Sequence, residues 1–166
     1  MRTIALAFTV FSLAVSTSFG EEIHKLKNKT AQARKELTVA WYFKGLKDNC
    51  ETTDFPEIDL DIPPKGGTVC MRSGMKPVSH IWNGNGRTDH CIGTRVRGTW
   101  VIYIPFGSFT GLDSMQFTVK MRPPLARTYE AKISVEAGEE TAGGARSAPL
   151  EPQKAGPVPT CPALVS

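Results

Sequence analysis

Between residues 36 and 136, apolar and polar residues alternate with a period of two, the spacing of β-strands that bury one face. The segment contains four such runs. Their apolar positions are Leu37, Val39, Trp41 and Phe43; Ile58, Leu60 and Ile62; Met115, Phe117, Val119 and Met121; and Tyr129, Ala131, Ile133 and Val135. Residues 99–104 are apolar on both faces, as in a strand buried at the centre of a sheet. We find no helical period in this region.

Turn residues separate these runs. Residues 63–67 read P-P-K-G-G, residues 105–113 contain two glycines, and Pro123-Pro124 interrupts the chain again. About seven short strands within roughly 100 residues indicate an all-β protein, most simply an antiparallel sandwich, with a small barrel as the alternative. The large side chains expected in its core are Leu37, Val39, Trp41, Ile58, Leu60, Ile102, Phe117, Val119, Ile133 and Val135.

The two ends of the chain differ from this middle segment. Residues 1–20 combine Arg2, an apolar run over residues 4–15, and small residues at Ser18 and Gly20, which is the pattern of a cleaved secretory signal peptide. The apolar run is too short to span a bilayer, so we expect a secreted or periplasmic protein without a membrane span. Residues 21–35 form a lysine-rich polar arm, and residues 137–166 form a Pro/Gly/Ala-rich tail; both are predicted to be disordered.

Export determines how the four cysteines are interpreted. Cys50, Cys70, Cys91 and Cys161 all follow the signal peptide, and an even number in an oxidising compartment predicts two disulfides. The residues alone leave three connectivities open. Structural zinc is not expected, because such sites use closely spaced cysteine pairs and these cysteines are 20 or more residues apart.

Charge and motifs exclude several classes of function. The formal net charge is +4 and the basic residues are dispersed, whereas nucleic-acid-binding modules concentrate them in a stripe. The chain lacks the common nucleophile, zinc-protease and phosphate-binding motifs. We therefore expect no catalytic residues, metal, cofactor or nucleic acid. The alternative is an enzyme or metal-dependent protein that uses His80, Asp89 and His90.

Residues 73–90 have no periodicity and are predicted to form a long loop with one tight hairpin over residues 81–87. Long irregular loops in compact domains are often functional. The candidate binding residues are Trp82, Asn83, Asn85 and Arg87. Trp82 is expected either to cover the edge of the core or to anchor a partner.

Three segments resemble a known family. Residues 63–69 read P-P-K-G-G-T-V, residues 99–105 read T-W-V-I-Y-I-P, and residues 109–119 read F-T-G-L-D-S-M-Q-F-T-V. With Cys91-Ile92-Gly93 they resemble the closing half of a bacterial immunoglobulin-like (Ig-like) or cadherin-like repeat, over about 75 residues. The resemblance implies an Ig-like sandwich over residues 36–136. In this pattern Asp113 is expected to accept hydrogen bonds from turn amides.

The resemblance also implies a disulfide pairing. Exported domains of this kind often carry one cysteine before the strand predicted at residues 55–62 and one before the apolar strand at residues 99–104, which are the places of Cys50 and Cys91. Cys70 would then pair with Cys161. The competing arrangement joins Cys70 to Cys91 and Cys50 to Cys161.

Together these observations predict an exported Ig-like binding or structural module of the bacterial cell envelope or extracellular space. Its expected partner is a protein or an envelope component, and no catalysis is expected. A cluster of His80, Asp89, His90 and Asp113 in one cleft would favour the enzyme alternative instead.

Overall fold

Two β-sheets pack face to face around one apolar core. The computed structural model describes residues 22–81, 88–121, 124–138 and 153–162, and these contain nine strands and one turn of 3₁₀-helix at Asp89–Cys91. The strands are β1 (Ile23–Lys25), β2 (Lys29–Gln32), β3 (Leu37–Tyr42), β4 (Glu57–Ile62), β5 (Gly67–Pro77), β6 (Arg95–Pro105), β7 (Gly111–Lys120), β8 (Ala126–Glu136) and β9 (Gly156–Pro157).

The strand order defines the type of sandwich. The larger sheet has the order β1-β8-β7-β4-β9, with β2 also on β8, and the smaller sheet has the order β3-β6-β5. With β3 to β8 labelled B to G, the two sheets read G-F-C and B-E-D, the order of an immunoglobulin constant-type domain. The prediction of an all-β, two-sheet sandwich is therefore confirmed, and its strand order is the one expected of an Ig-like domain. β1 and β2 lie along β8 in parallel, and the other strand pairs are antiparallel.

The core lies between the inner faces of the two sheets. Its fully buried members include Tyr103, Phe117, Met115 and Ile133. β6 is the middle strand of the smaller sheet and buries three consecutive residues, Val101 to Tyr103, as its two apolar faces predict. Eight of the ten expected core residues are buried, namely Val39, Ile58, Leu60, Ile102, Phe117, Val119, Ile133 and Val135. Leu37 is half-buried against the same core.

Trp41 is the exception, and a β-bulge explains it. The register of β3 against β6 shifts between Thr38 and Ala40, which turns Ala40 and Tyr42 towards the core. Trp41 and Phe43 therefore lie on the outer face, and their expected inward orientation is wrong. A second shift between Leu60 and Ile62 leaves Ile62 exposed. One extra residue reverses every later side chain of a strand, because strand side chains alternate.

The prediction of a disordered polar arm is wrong for the part of it that the structure describes. β1 and β2 extend along β8, and further backbone bonds run from Leu26 N–H to Glu130 O (2.9 Å) and from Ala33 N–H to Glu136 O (2.9 Å). Only small side chains, those of Ala31 and Ala33, are fully buried there. Backbone pairing with β8 needs no particular side chain, so a polar sequence can form these strands.

The prediction of a disordered tail is likewise wrong for residues 153–162, which pack against both sheets through β9 and a disulfide. The signal peptide at residues 1–20 and tail residues 139–152 and 163–166 lie outside the described residues. The predicted loop over residues 73–90 is also shorter than expected, because β5 continues to Pro77.

Both disulfides have the pairing that the family resemblance implies. Cys50 is bonded to Cys91, with Cα atoms 5.4 Å apart, and Cys70 to Cys161, with Cα atoms 4.8 Å apart. The alternative pairing of Cys70 with Cys91 is excluded.

A buried carboxylate holds the β4–β5 turn against the start of β7. Asp113 is 6% exposed and accepts four hydrogen bonds, from Lys65 N–H (2.9 Å), Gly66 N–H (2.8 Å), Ser114 N–H (2.9 Å) and Tyr103 O–H (2.8 Å). Its role as an acceptor for turn amides is confirmed. A buried charge is tolerated when its oxygens are bonded in this way.

The core tyrosines predict loss of stability in alkali. Burial raises the pKa of Tyr42, and burial together with the bond to Asp113 raises the pKa of Tyr103. The folded state therefore keeps both protons above pH 10, whereas the unfolded state releases them. Each tyrosine should lower the free energy of unfolding by up to about 1.4 kcal/mol per pH unit above its unfolded pKa of about 10.

Tyr42→Phe tests this expectation with urea unfolding at pH 8 to 11. The Tyr42 hydroxyl is buried and has no hydrogen-bond partner among the described residues. Its removal should therefore cost no stability at pH 8 and should flatten the alkaline decline. Tyr103→Phe also flattens the decline, but should cost about 1–3 kcal/mol at pH 8 because it removes a donor from Asp113. An unchanged alkaline slope in both variants would contradict the burial of these hydroxyls.

Candidate functional site

The base of the loop after β5 is held firmly at one end of the sandwich. Val78 N–H donates to Thr94 O (3.0 Å) and Gly93 N–H donates to Val78 O (2.8 Å), so the two ends of the loop lie side by side. Val78 itself is buried. The predicted binding residues Trp82, Asn83, Asn85 and Arg87 lie outside the described residues.

The β3–β4 connection packs beside this loop base. It closes on itself through Thr53 N–H to Gly45 O (3.1 Å) and Lys47 N–H to Glu51 O (2.8 Å). The Cys50–Cys91 disulfide joins it to the loop, and the His90 ring Nε2 lies 2.8 Å from Asp48 O. Two connections that are distant in sequence thus form a single cross-linked surface.

An aromatic cluster on the outer face of the smaller sheet continues from this end. The ring centroids of Trp41 lie 6.0 Å from those of Trp100 and 5.3 Å from those of Phe43. The Lys76 ammonium lies 5.7 Å from the Trp41 centroid and 5.4 Å from the Trp100 centroid, within cation–π range of both. We call Trp41, Phe43, Trp100 and Lys76 the aromatic face.

Two glycines allow the indole rings to lie flat on the sheet. Gly74 and Gly98 are directly paired between β5 and β6. A Cβ at Gly74 would collide with the Trp100 ring, and one at Gly98 would collide with Trp41. Both tryptophans remain half-buried, and the Trp41 indole N–H is buried without a hydrogen-bond partner among the described residues.

The aromatic face was not predicted from the sequence. The period-two pattern placed Trp41 in the core, because nothing in it indicates the bulge. A usable signal was present in Gly74 and Gly98, since a glycine inside a strand often marks a close approach by another group.

The structure does not bring the four candidate catalytic residues together. β5 and β6 pair from Gly67–Pro105 at one end to Pro77–Arg95 at the other, a length of about 33 Å at the usual rise per residue. Asp113 bonds the turn at the first end, whereas Asp89 and His90 belong to the loop at the second. His80 follows Val78 at that second end. No single cleft contains all four.

Neither a sulfur cluster nor a cavity supplies an evident reactive centre. Cys50, His90 and Cys91 place their ligand atoms within 4.8 Å of one another. The two sulfurs are bonded to each other, however, and metals bind the thiolate form. A cavity of about 330 Å³ lies at the opposite end of the sandwich. Arg34 is the one ionisable side chain among the described residues that line it. These residues are Ala33, Arg34, Gly107, Ser108, Thr110, Ala137 and Gly138.

Comparisons with known proteins do not assign the chain to a family. A scan against protein-family models, a search of curated proteins and a search of solved structures each gave no match. Among the described residues, none lies in a helix with the length and apolar character needed to cross a membrane.

Proposed function

We propose that the chain is an exported Ig-like module that binds a protein or an envelope component, and that it contacts this partner through the aromatic face and the adjoining loop. The observation that carries the proposal is the pair of half-buried tryptophans in contact with Lys76, beside a disulfide-anchored loop. Tryptophan is typical of the residues that dominate binding energy at interfaces, and Lys76 lies within cation–π range of both rings.

Export to the periplasm or the extracellular space is part of the proposal. It is supported by the N-terminal sequence pattern and by two disulfides, which persist in oxidising compartments. The proposed relation to bacterial Ig-like or cadherin-like repeats draws support from the three sequence segments and from Asp113, which bonds the β4–β5 turn.

We propose a binding function rather than a catalytic one because the ionisable side chains do not lie together in one site. Asp113 is fully occupied with structural hydrogen bonds, and His80 and His90 are at the far end of the sandwich. The aromatic face, in contrast, offers apolar area and a positive charge on a rigid sheet. Such a surface fits an extended partner better than a small substrate, which usually requires a concave pocket.

Affinity capture from an envelope extract tests the proposal. The mature protein should retain a specific partner, and Trp100→Ala and Lys76→Glu should each weaken its retention about thirtyfold, the lower limit of an interface hot spot. Lys132→Glu, an exposed charge reversal on β8 of the other sheet, serves as the matched control and should retain the partner.

Each variant should first be checked for an unchanged melting temperature. Equal retention by Lys76→Glu, Trp100→Ala and Lys132→Glu would show that the partner, if captured, binds elsewhere. The absence of any specific partner would contradict the proposed binding function itself.

A further inference from the structure

Residues 153–162, which we call the strap, bridge the free edges of the two sheets. β9 pairs antiparallel with β4 through Asp59–Pro157 and Leu60–Gly156, and Val158 N–H donates to Ile58 O (2.9 Å). On the other side, Met71 N–H of β5 donates to Pro159 O (2.7 Å) and Cys161 N–H donates to Met71 O (2.8 Å). A single short segment therefore bonds the edges of β4 and β5.

Side chains fix the strap at three points. The Gln153 amide accepts from Val69 N–H (2.6 Å) and donates to Val69 O (2.9 Å), which imitates the pairing of a neighbouring strand. Val158 is 3% exposed and belongs to the main core. Cys161 is bonded to Cys70 of β5. The cleft between β4 and β5 thus offers three features that match the strap. These are strand edges that form backbone hydrogen bonds, an apolar space for Val158, and the Cys70 sulfur for Cys161.

We propose that this cleft is a strand-accepting site, and that the strap of a second copy of the chain can occupy it in trans. The fit of Gln153, Val158 and Cys161 to the cleft is a property of the sequence, so every copy presents a matching strap. Most of the remaining contacts are backbone hydrogen bonds, which a strand from another molecule makes equally well.

The length of the preceding chain permits the exchange. Fourteen residues, 139–152, separate the last described residue before the gap from the strap, and they can extend over at most about 50 Å. That reach exceeds the roughly 10 Å that separates two packed sheets, so a strap can enter the cleft of a neighbouring molecule. Binding in cis is favoured in dilute protein because the tether gives the strap a high effective concentration.

Formation of the Cys70–Cys161 disulfide fixes the strap either in the cleft of its own chain or in the cleft of the second copy. Two thiols, those of Cys70 and Cys161, are oxidised to one disulfide while a disulfide oxidant such as oxidised glutathione is reduced to two thiols. If the strap lies in cis at that moment, the product is a closed monomer. If it lies in trans, the product is a covalently linked pair. The proposal is independent of the partner proposed for the aromatic face.

Complementary cysteine variants of the full mature chain test the exchange. Cys70→Ala retains the strap thiol, and Cys161→Ala retains the cleft thiol, so neither variant can form this disulfide alone. When the two are mixed in oxidised glutathione, a reductant-sensitive heterodimer should form and increase with protein concentration. Peptide mapping should show Cys161 of one chain linked to Cys70 of the other.

A second substitution in the donor chain separates strap docking from random thiol oxidation. Val158→Asp, added to the Cys70→Ala chain, leaves Cys161 in place but puts a charge where the core is apolar. It should reduce the heterodimer at least tenfold, and the acceptor chain is unaltered. Failure to form the Cys70–Cys161 heterodimer, or an equal yield with Val158→Asp, would overturn the proposal.

Discussion

Replacing Asp113 with alanine is expected to lower the free energy of unfolding by about 3–5 kcal/mol, because three backbone N–H groups and the Tyr103 hydroxyl lose their acceptor. Two of these hydrogen bonds are buried and two are part-buried, so water cannot fully replace the carboxylate. Urea unfolding followed by tryptophan fluorescence measures the loss, and the melting temperature should fall by about 10 °C.

Asp61→Asn provides the matched control. Asp61 is an exposed aspartate that accepts one hydrogen bond, from the Thr118 hydroxyl (2.7 Å). Its substitution should change the stability by no more than about 0.5 kcal/mol. A similar small effect for Asp113→Ala would show that the β4–β5 turn does not depend on the carboxylate.

Phe117→Ala is expected to destabilise the protein by about 3–5 kcal/mol. The Phe117 side chain is fully buried in β7, and its ring centroid lies 5.7 Å from that of Tyr129 and 6.2 Å from that of Tyr42. Removing the ring leaves a cavity between the two sheets and deprives both tyrosines of an aromatic contact. Thermal and chemical unfolding at pH 8 measure the effect.

Phe55→Ala deletes the same side chain from the surface. Phe55 is 38% exposed and lies before β4. Its removal should cost clearly less, about 1 kcal/mol, since less apolar area returns to water. Equal losses for the two variants, or a loss below about 1 kcal/mol for Phe117→Ala, would show that Phe117 does not occupy the centre of the core.

The core strands could be predicted because the alternation of apolar and polar side chains indicates which face of each strand is buried. Ile58, Leu60, Phe117 and Val119 alternate with polar residues, and the structure buries all four. The role of Asp113 could be anticipated for a related reason, since a lone acidic residue after a glycine turn has few partners other than the turn amides.

The parts that could not be predicted depend on the backbone. The bulge in β3 inserts one residue without a sequence signal and moves Trp41 to the outer face. β1, β2 and the strap are held largely by main-chain hydrogen bonds to strand edges, so their polar or proline-rich sequences resemble disordered segments. Cys161 was the one residue of the strap whose sequence position indicated an attachment to the domain.

The aromatic face could not be predicted from the sequence for the same reason. Its members come from three strands and from Phe43, which follows β3, and their grouping depends on the pairing of Gly74 with Gly98 and on the bulge. Pairing and register are long-range properties that a single sequence does not display. The loop with Trp82, in contrast, was recognisable by composition, and the structure places its base next to the aromatic face.

The Cys70–Cys161 disulfide also determines how the molecule transmits mechanical force. Tension applied between the N-terminal segment and a point beyond Cys161 passes from Cys70 directly through the sulfur bridge. The 70-residue separation between Cys91 and Cys161, equivalent to roughly 230 Å of extended chain, carries none of that tension, whereas residues 71–91 lie on a second path through the Cys50–Cys91 bridge. β6, β7 and β8 are therefore shielded from stretching, and among the described strands the lengthening of a pulled molecule falls on β1 to β5.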